Sequence, residues 1–177
     1  YIYSYIPAYG WEYSISEVSV PGEEQLSKTI KMSIDSIAEN EVRTADSLRE
    51  IKVSGWAADL SVAQNTGINK VEAYIDGPKN FGKSLGQAQY GLERVDVGNA
   101  MGNANYNNSG YYLAFDGSNF KPGSTHKLYV YAYTPTGAYQ YLTRNIIVEG
   151  GQASSNVIIK ADASFAGNKL RISGWAI

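Results

Sequence analysis

Ile51-Lys-Val-Ser-Gly-Trp-Ala57 returns 119 residues later as Leu170-Arg-Ile-Ser-Gly-Trp-Ala176. A second stretch, Tyr1-Ile-Tyr-Ser-Tyr-Ile-Pro7 running on to Val20 and Gly22, returns after 128 residues. Its copy is Tyr129-Val-Tyr-Ala-Tyr-Thr-Pro135, running on to Val148 and Gly150. Self-similarity at a domain-sized period is the signature of a tandem array. The expected organisation follows from the spacing. Residues 1–22 form the C-terminal hairpin of a preceding repeat, 23–28 and 151–156 are polar linkers, 29–150 form one complete repeat, and 157–177 form the first strands of a following repeat.

Within the complete repeat, short runs rich in Val, Ile and Tyr alternate at period two and are broken by Gly, Asn and Pro. Strands are predicted over 31–37, 50–57, 70–76, 82–90, 111–115, 127–134 and 138–148. Ile51, Val53 and Gly55 share one face of the second strand, and Val71, Ala73 and Ile75 share one face of the third. Asp76-Gly77 and Pro135-Thr-Gly137 are turn signals. Residues 39–50 read as a loop or a short helix. Seven strands without a convincing helix predict an all-β fold, an antiparallel two-sheet sandwich.

Composition narrows the function classes. Fifteen basic and seventeen acidic residues are interspersed and leave a net charge of −2. No basic stripe is present to neutralise a phosphate backbone, which argues against nucleic acid as a partner. No run approaches the roughly 18 apolar residues of a membrane span, so membrane insertion is not expected. Cysteine is absent, which excludes disulfides and thiolate sites. Fifteen tyrosines and eighteen glycines lean towards a secreted β protein.

The central residues resemble an Ig-like repeat of extracellular, cell-wall-associated or surface-layer bacterial proteins, including wall hydrolases with long repeat tails. The resemblance rests on Ile34-Asp35, Val53-Ser-Gly-Trp-Ala57 and Gly67-Ile-Asn-Lys-Val-Glu-Ala-Tyr-Ile-Asp-Gly77. It continues through Ala88-Gln-Tyr-Gly-Leu-Glu-Arg-Val-Asp-Val97, Asn108-Ser-Gly110, Phe115-Asp116 and Pro122-Gly-Ser-Thr-His-Lys-Leu128. It implies an Ig-like β-sandwich and a bacterial surface or extracellular location, and says little of activity, because such modules accompany many functions. Two departures, Ile37 where a proline often stands and the extended Pro78–Phe81 loop, are expected to lie at the surface.

Individual residues are weighed against structural roles. Trp56, and Trp175 in its copy, are expected to drop into the sandwich core, the alternative for Trp56 being a ligand-stacking ring. Arg94, Asp96 and Asp116 are expected to anchor a loop, the alternative being a carboxylate-lined pocket. Asp59, Asp76, Asp96 and Asp116 are scattered singly, without the clustered oxygens that calcium demands. Calcium is therefore disfavoured, and no other cofactor is expected. His126, the single histidine, is read as an exposed turn residue, and no catalytic set is visible, so the segment is expected not to be an enzyme.

The feature beyond scaffolding is aromatic. Tyr129, Tyr131 and Tyr133 alternate with Leu128, Val130 and Ala132, and Tyr139 and Tyr141 take the same outward parity on the returning strand. Tyr1, Tyr3, Tyr5, Trp11 and Tyr13 repeat the pattern. Such a face either stabilises the sheet through cross-strand pairs, packs on another repeat or protomer, or stacks on a cell-wall glycan. The expected function is a spacer and interaction or assembly module, with carbohydrate binding as the alternative.

Overall fold

The computed structural model describes residues 26–150 in full and, on either side, the backbone of a strand pair. The first pair is β1 (Ile2–Ile6) and β2 (Gly10–Ser14), antiparallel, with Tyr3 opposite Tyr13 and Tyr5 opposite Trp11. The side chains of these residues and of Trp175, and all of Tyr1, lie outside the described residues.

Residues 26–150 carry nine strands. They are β3 (Ile30–Ile34), β4 (Glu41–Arg43), β5 (Ile51–Asp59), β6 (Lys70–Ile75), β7 (Lys83–Gln87), β8 (Gln89–Leu92), β9 (Gly110–Phe115), β10 (Thr125–Tyr133) and β11 (Tyr139–Val148). A six-residue helix, α1 (Val95–Ala100), lies between β8 and β9. The last pair, β12 (Ile159–Ala166) and β13 (Lys169–Ala176), is antiparallel.

The module is an all-β sandwich of two sheets, ordered β3-β5-β9-β8 and β4-β11-β10-β6-β7. Every pairing of strands within it is antiparallel except that of β4 with β11, and an isolated parallel bridge joins Leu26 to Tyr139. Alternation builds the core as expected. Ile51, Val53 and Ala57 from one sheet meet Val71, Ala73, Ile75, Leu128, Val130 and Ala132 from the other. At roughly 25 cal/mol per Å² of apolar surface withdrawn from water, this interlayer supplies the main stabilisation.

Four expectations are corrected. Residues 41–43 form a strand, because β11 supplies a parallel partner that three residues alone could not signal. The predicted 82–90 strand divides. β7 pairs with β6, the chain crosses at buried Ala88, and β8 joins β9 in the other sheet. Residues 95–100 are helical, closed at Gly102 (φ 63°) by bonds from Gly102 N–H to Asn99 O and Asn103 N–H to Gly98 O. Ile37 is 1 % exposed and belongs to the core, and its carbonyl accepts from Arg144 Nε at 3.1 Å.

The decisive motif has a clear physical role. Gly55 sits opposite Ile34 and Tyr111. The Tyr111 ring is buried in the core, and its hydroxyl donates to Ser33 O at 2.6 Å. A Cβ at Gly55 would stand 1.9 Å from Ser33 O and 2.6 Å from that hydroxyl. Burial pushes the Tyr111 hydroxyl pKa well above its ordinary value.

Candidate functional site

The tyrosine face is real but largely covered. Tyr74, Tyr129, Tyr131, Tyr133, Tyr139 and Tyr141 project from β6, β10 and β11 on the outer side of the five-stranded sheet. Tyr131 stacks on Tyr141 with centroids 5.1 Å apart and on Tyr133 at 6.1 Å, and Tyr74 meets it edge-on at 5.8 Å. Tyr139 lies 5.7 Å from Tyr131 and 5.9 Å from Tyr133, and Tyr129 lies 6.3 Å from Tyr141.

The sequence pattern predicts five exposed rings. Instead Tyr131 is 5 % and Tyr133 3 % exposed, Tyr129 and Tyr139 are half-buried, and only Tyr141, at 39 %, is open. The Pro78–Phe81 loop explains part of this, since it leans over the face rather than simply projecting into solvent. Lys79 N–H donates to Tyr131 Oη at 3.3 Å. The Lys70 and Lys79 ammoniums stand 4.2 Å and 4.9 Å from the Tyr133 ring centroid, favourable to the ring quadrupole. Glu72 lies beneath them, 3.1 Å from Lys70 Nζ and 4.0 Å from Lys79 Nζ. Burial raises the Glu72 carboxyl, but the Tyr133 hydroxyl and the two lysines more than offset this and hold it below the ordinary value. Tyr74 belongs to the cluster but escaped the hairpin pattern, because β6 joins β10 across a long sequence gap.

Trp56 is not in the interlayer core. Its parity is opposite to that of Ile51, Val53 and Ala57, so it projects to the outer face of the four-stranded sheet. There it packs on a second apolar group of Ala58, Val97 and Tyr106. The segment carrying α1 lies on that face and leaves the ring half-buried. Arg94 anchors the segment. It grips Asp96 through Nε and an Nη at 2.9 Å and 2.7 Å, and reaches Asp35 Oδ2 at 2.7 Å. The bidentate hydrogen bonds to Arg94 hold Asp96 below the usual carboxylate range.

Asp116, expected in the same anchor, instead accepts from Ser118 N–H at 2.8 Å in its own turn. The partner from a distant strand is Asp35 of the Ile34-Asp35 pair. A cleft of about 340 Å³ adjoins Arg94, with Ser54, Gln89, Glu93 and Tyr112 on its walls. Neither Asp35 nor Asp96 lines it.

His126 is not an exposed turn residue. It stacks on Phe120 at 3.6 Å, with Nδ1 2.8 Å from Asp76 Oδ2 and Nε2 2.8 Å from Ser124 Oγ. This has the outline of a nucleophile, base and orienting acid, but its hydrogen-bond directions are wrong. Ser124 Oγ lies 2.6 Å from Lys121 O, which can only accept, so the single hydroxyl proton is committed there and is not offered to the imidazole. The nearby Gly123 and Ser124 N–H groups are bonded to Val148 O and Lys121 O, so neither is available to stabilise an oxyanion. The trio ties the end of β6 to the start of β10.

Among the described residues, no group of three or more His, Cys, Asp or Glu side chains converges to hold a metal. No described helix is long and apolar enough to cross a membrane. The chain matches no known family model and no curated protein.

Proposed function

We propose that this chain is a stretch of Ig-like repeats from a bacterial surface or secreted protein, a non-catalytic spacer and interaction module. The observation that carries this reading is pairing register. Tyr3–Tyr13 and Tyr5–Trp11 pair on β1 and β2 as Tyr131–Tyr141 and Tyr133–Tyr139 pair on β10 and β11. Gly174 lies opposite Ala161 as Gly55 lies opposite Ile34, and each pair is followed by an aspartate, Asp162 and Asp35. The repeated sequences thus carry repeated backbone pairing, as units of an array do.

Strand order also supports the Ig-like reading. The sheet β3-β5-β9-β8 and, beyond the edge strand β4, the run β11-β10-β6-β7 of the other follow the A-B-E-D and G-F-C-C′ arrangement. Partners would be other repeats or protomers of the same protein.

The test is hydrodynamic. Sedimentation of the 177-residue chain should show self-association that rises with concentration and weakens in Tyr141→Ser, the variant that alters the open ring without opening the core. A monomer at every concentration would remove assembly from this role.

A second reading, glycan stacking on the same face, is favoured by the open Tyr141 ring and by Phe81, 87 % exposed on the overlying loop. Retention on cell-wall polysaccharide, lost in Tyr141→Ser with Phe81→Ser, would support it. Equal retention of parent and variant would reject it.

A further inference from the structure

A second cleft, of about 460 Å³, lies at one pole of the sandwich. Three connections converge there: the entry residues 27–29, the β5–β6 connection and the β10–β11 turn. Its polar lining includes the hydroxyls of Thr29, Ser61, Thr134 and Thr136, the Asn65 amide and the Asp59 carboxylate, with Val62 and Pro135 among its apolar surfaces. Its volume falls within the range of small-ligand sites.

Asp59 is the unusual member. It ends β5 at a core-facing position and is 5 % exposed. Its Oδ1 accepts from Ser61 N–H at 3.0 Å and Ser61 Oγ at 2.8 Å, and the Thr29 hydroxyl also bonds the carboxylate. Asn65 Oδ1 is committed to Gly67 N–H at 2.7 Å, which directs the amide's donor character elsewhere. On the opposite wall Thr134 Oγ1 and Thr136 Oγ1 are 2.9 Å apart, and the two hydroxyls together keep lone pairs to accept further bonds.

Ligand chemistry follows from this lining. An apolar ligand would leave the hydroxyls and carboxylate desolvated. An anion would meet the charge of Asp59. A cation is not required, because the Ser61 N–H, the Ser61 hydroxyl and the Thr29 hydroxyl offset that charge, and of the roughly four lone-pair sites of a carboxylate they leave one for a ligand hydroxyl. Groups that both donate and accept match the mixed walls best.

We infer that this cleft binds a neutral polyhydroxylated ligand of mono- or disaccharide size, Asp59 accepting from one hydroxyl and the Asn65 amide donating to another. The site is separate from the tyrosine face.

The experiment is an NMR titration of the isotopically labelled 177-residue chain with glucose, N-acetylglucosamine and their β-1,4-linked dimers, each at millimolar concentration. Amide shifts should be confined to 27–29, 59–67 and 134–138. Thr136→Val, an exposed turn change that should not affect folding, should weaken binding about three- to tenfold, as expected for one lost hydrogen bond. Asp59→Asn should abolish it, and if that variant does not fold, Thr136→Val decides. No shift with any of the four sugars would overturn the inference. So would shifts centred on Tyr129 and Tyr141, which would instead favour glycan stacking on the sheet. Cleft shifts produced by calcium or ammonium chloride but by no sugar would also overturn it, in favour of a cation site.

Discussion

At the residue scale, the repeated Ser-Gly-Trp is explained by two opposite demands on one strand. Gly55 faces inward, where the Tyr111 hydroxyl reaches Ser33 O and no Cβ fits. Gly55→Ala should therefore cost about 3 kcal/mol, since the nearest obstacle is backbone rather than a flexible side chain. Chemical denaturation would measure this, and a loss below a few tenths of a kcal/mol would show that the strand pair simply moves apart. Trp56 faces outward by the same alternation. Its aromatic character suggested the core, but its parity placed it on the other side, under the α1 segment. Tyrosines divide in a comparable way. Tyr131→Ser should cost about 3 kcal/mol, because it removes a buried ring touching several others, whereas Tyr141→Ser should change stability little. Thermal melts would distinguish them, and equal melting points would contradict the buried centre of the cluster.

At the scale of elements, edges matter. β11 pairs with β4 only over Ile146–Val148, and Leu26 bridges it at Tyr139. Between these contacts the edge is capped by side chains. Gln140 Oε1 accepts from Tyr141 N–H at 2.9 Å, Gln140 Nε2 donates to Ser27 O at 3.0 Å, and Arg144 donates to Thr143 O at 2.9 Å. Caps of this kind discourage edge-to-edge pairing. Gln140→Ala should speed hydrogen exchange at the Tyr141 amide and increase light scattering on concentration. Unchanged exchange there would show that the cap is dispensable. The elements that sequence patterning missed are short ones. β4 has three residues and α1 six, and neither length gives periodicity enough to read. The division of 82–90 between two sheets was equally hidden, because both halves are extended.

At the scale of the whole molecule, the cleft and the tyrosine face each hold a carboxylate depressed by its neighbours. Asp59 lies below its ordinary 3.8 and Glu72 below its ordinary 4.5. A depressed carboxyl contributes its full stabilisation above its unfolded pKa and loses it as pH falls through the folded value. The melting temperature should therefore hold down to the ordinary values, 4.5 for Glu72 and 3.8 for Asp59, and drop on further acidification. Glu72→Gln should make that drop shallower. A melting temperature that rises on acidification would contradict both assignments. The alternating runs by themselves determined the all-β class, the inward faces of β5, β6 and β10, and the common parity of the hairpin tyrosines, because side-chain direction in a strand has a local period of two. Only the tertiary structure decided that Tyr131 and Tyr133 are covered, that Arg94 reaches Asp35, that Val97 and Tyr106 pack against the outward Trp56, and that Asp59 lines a hydroxyl-walled cleft. Those outcomes depend on which distant segment overlies each face, and a two-residue period carries no record of it.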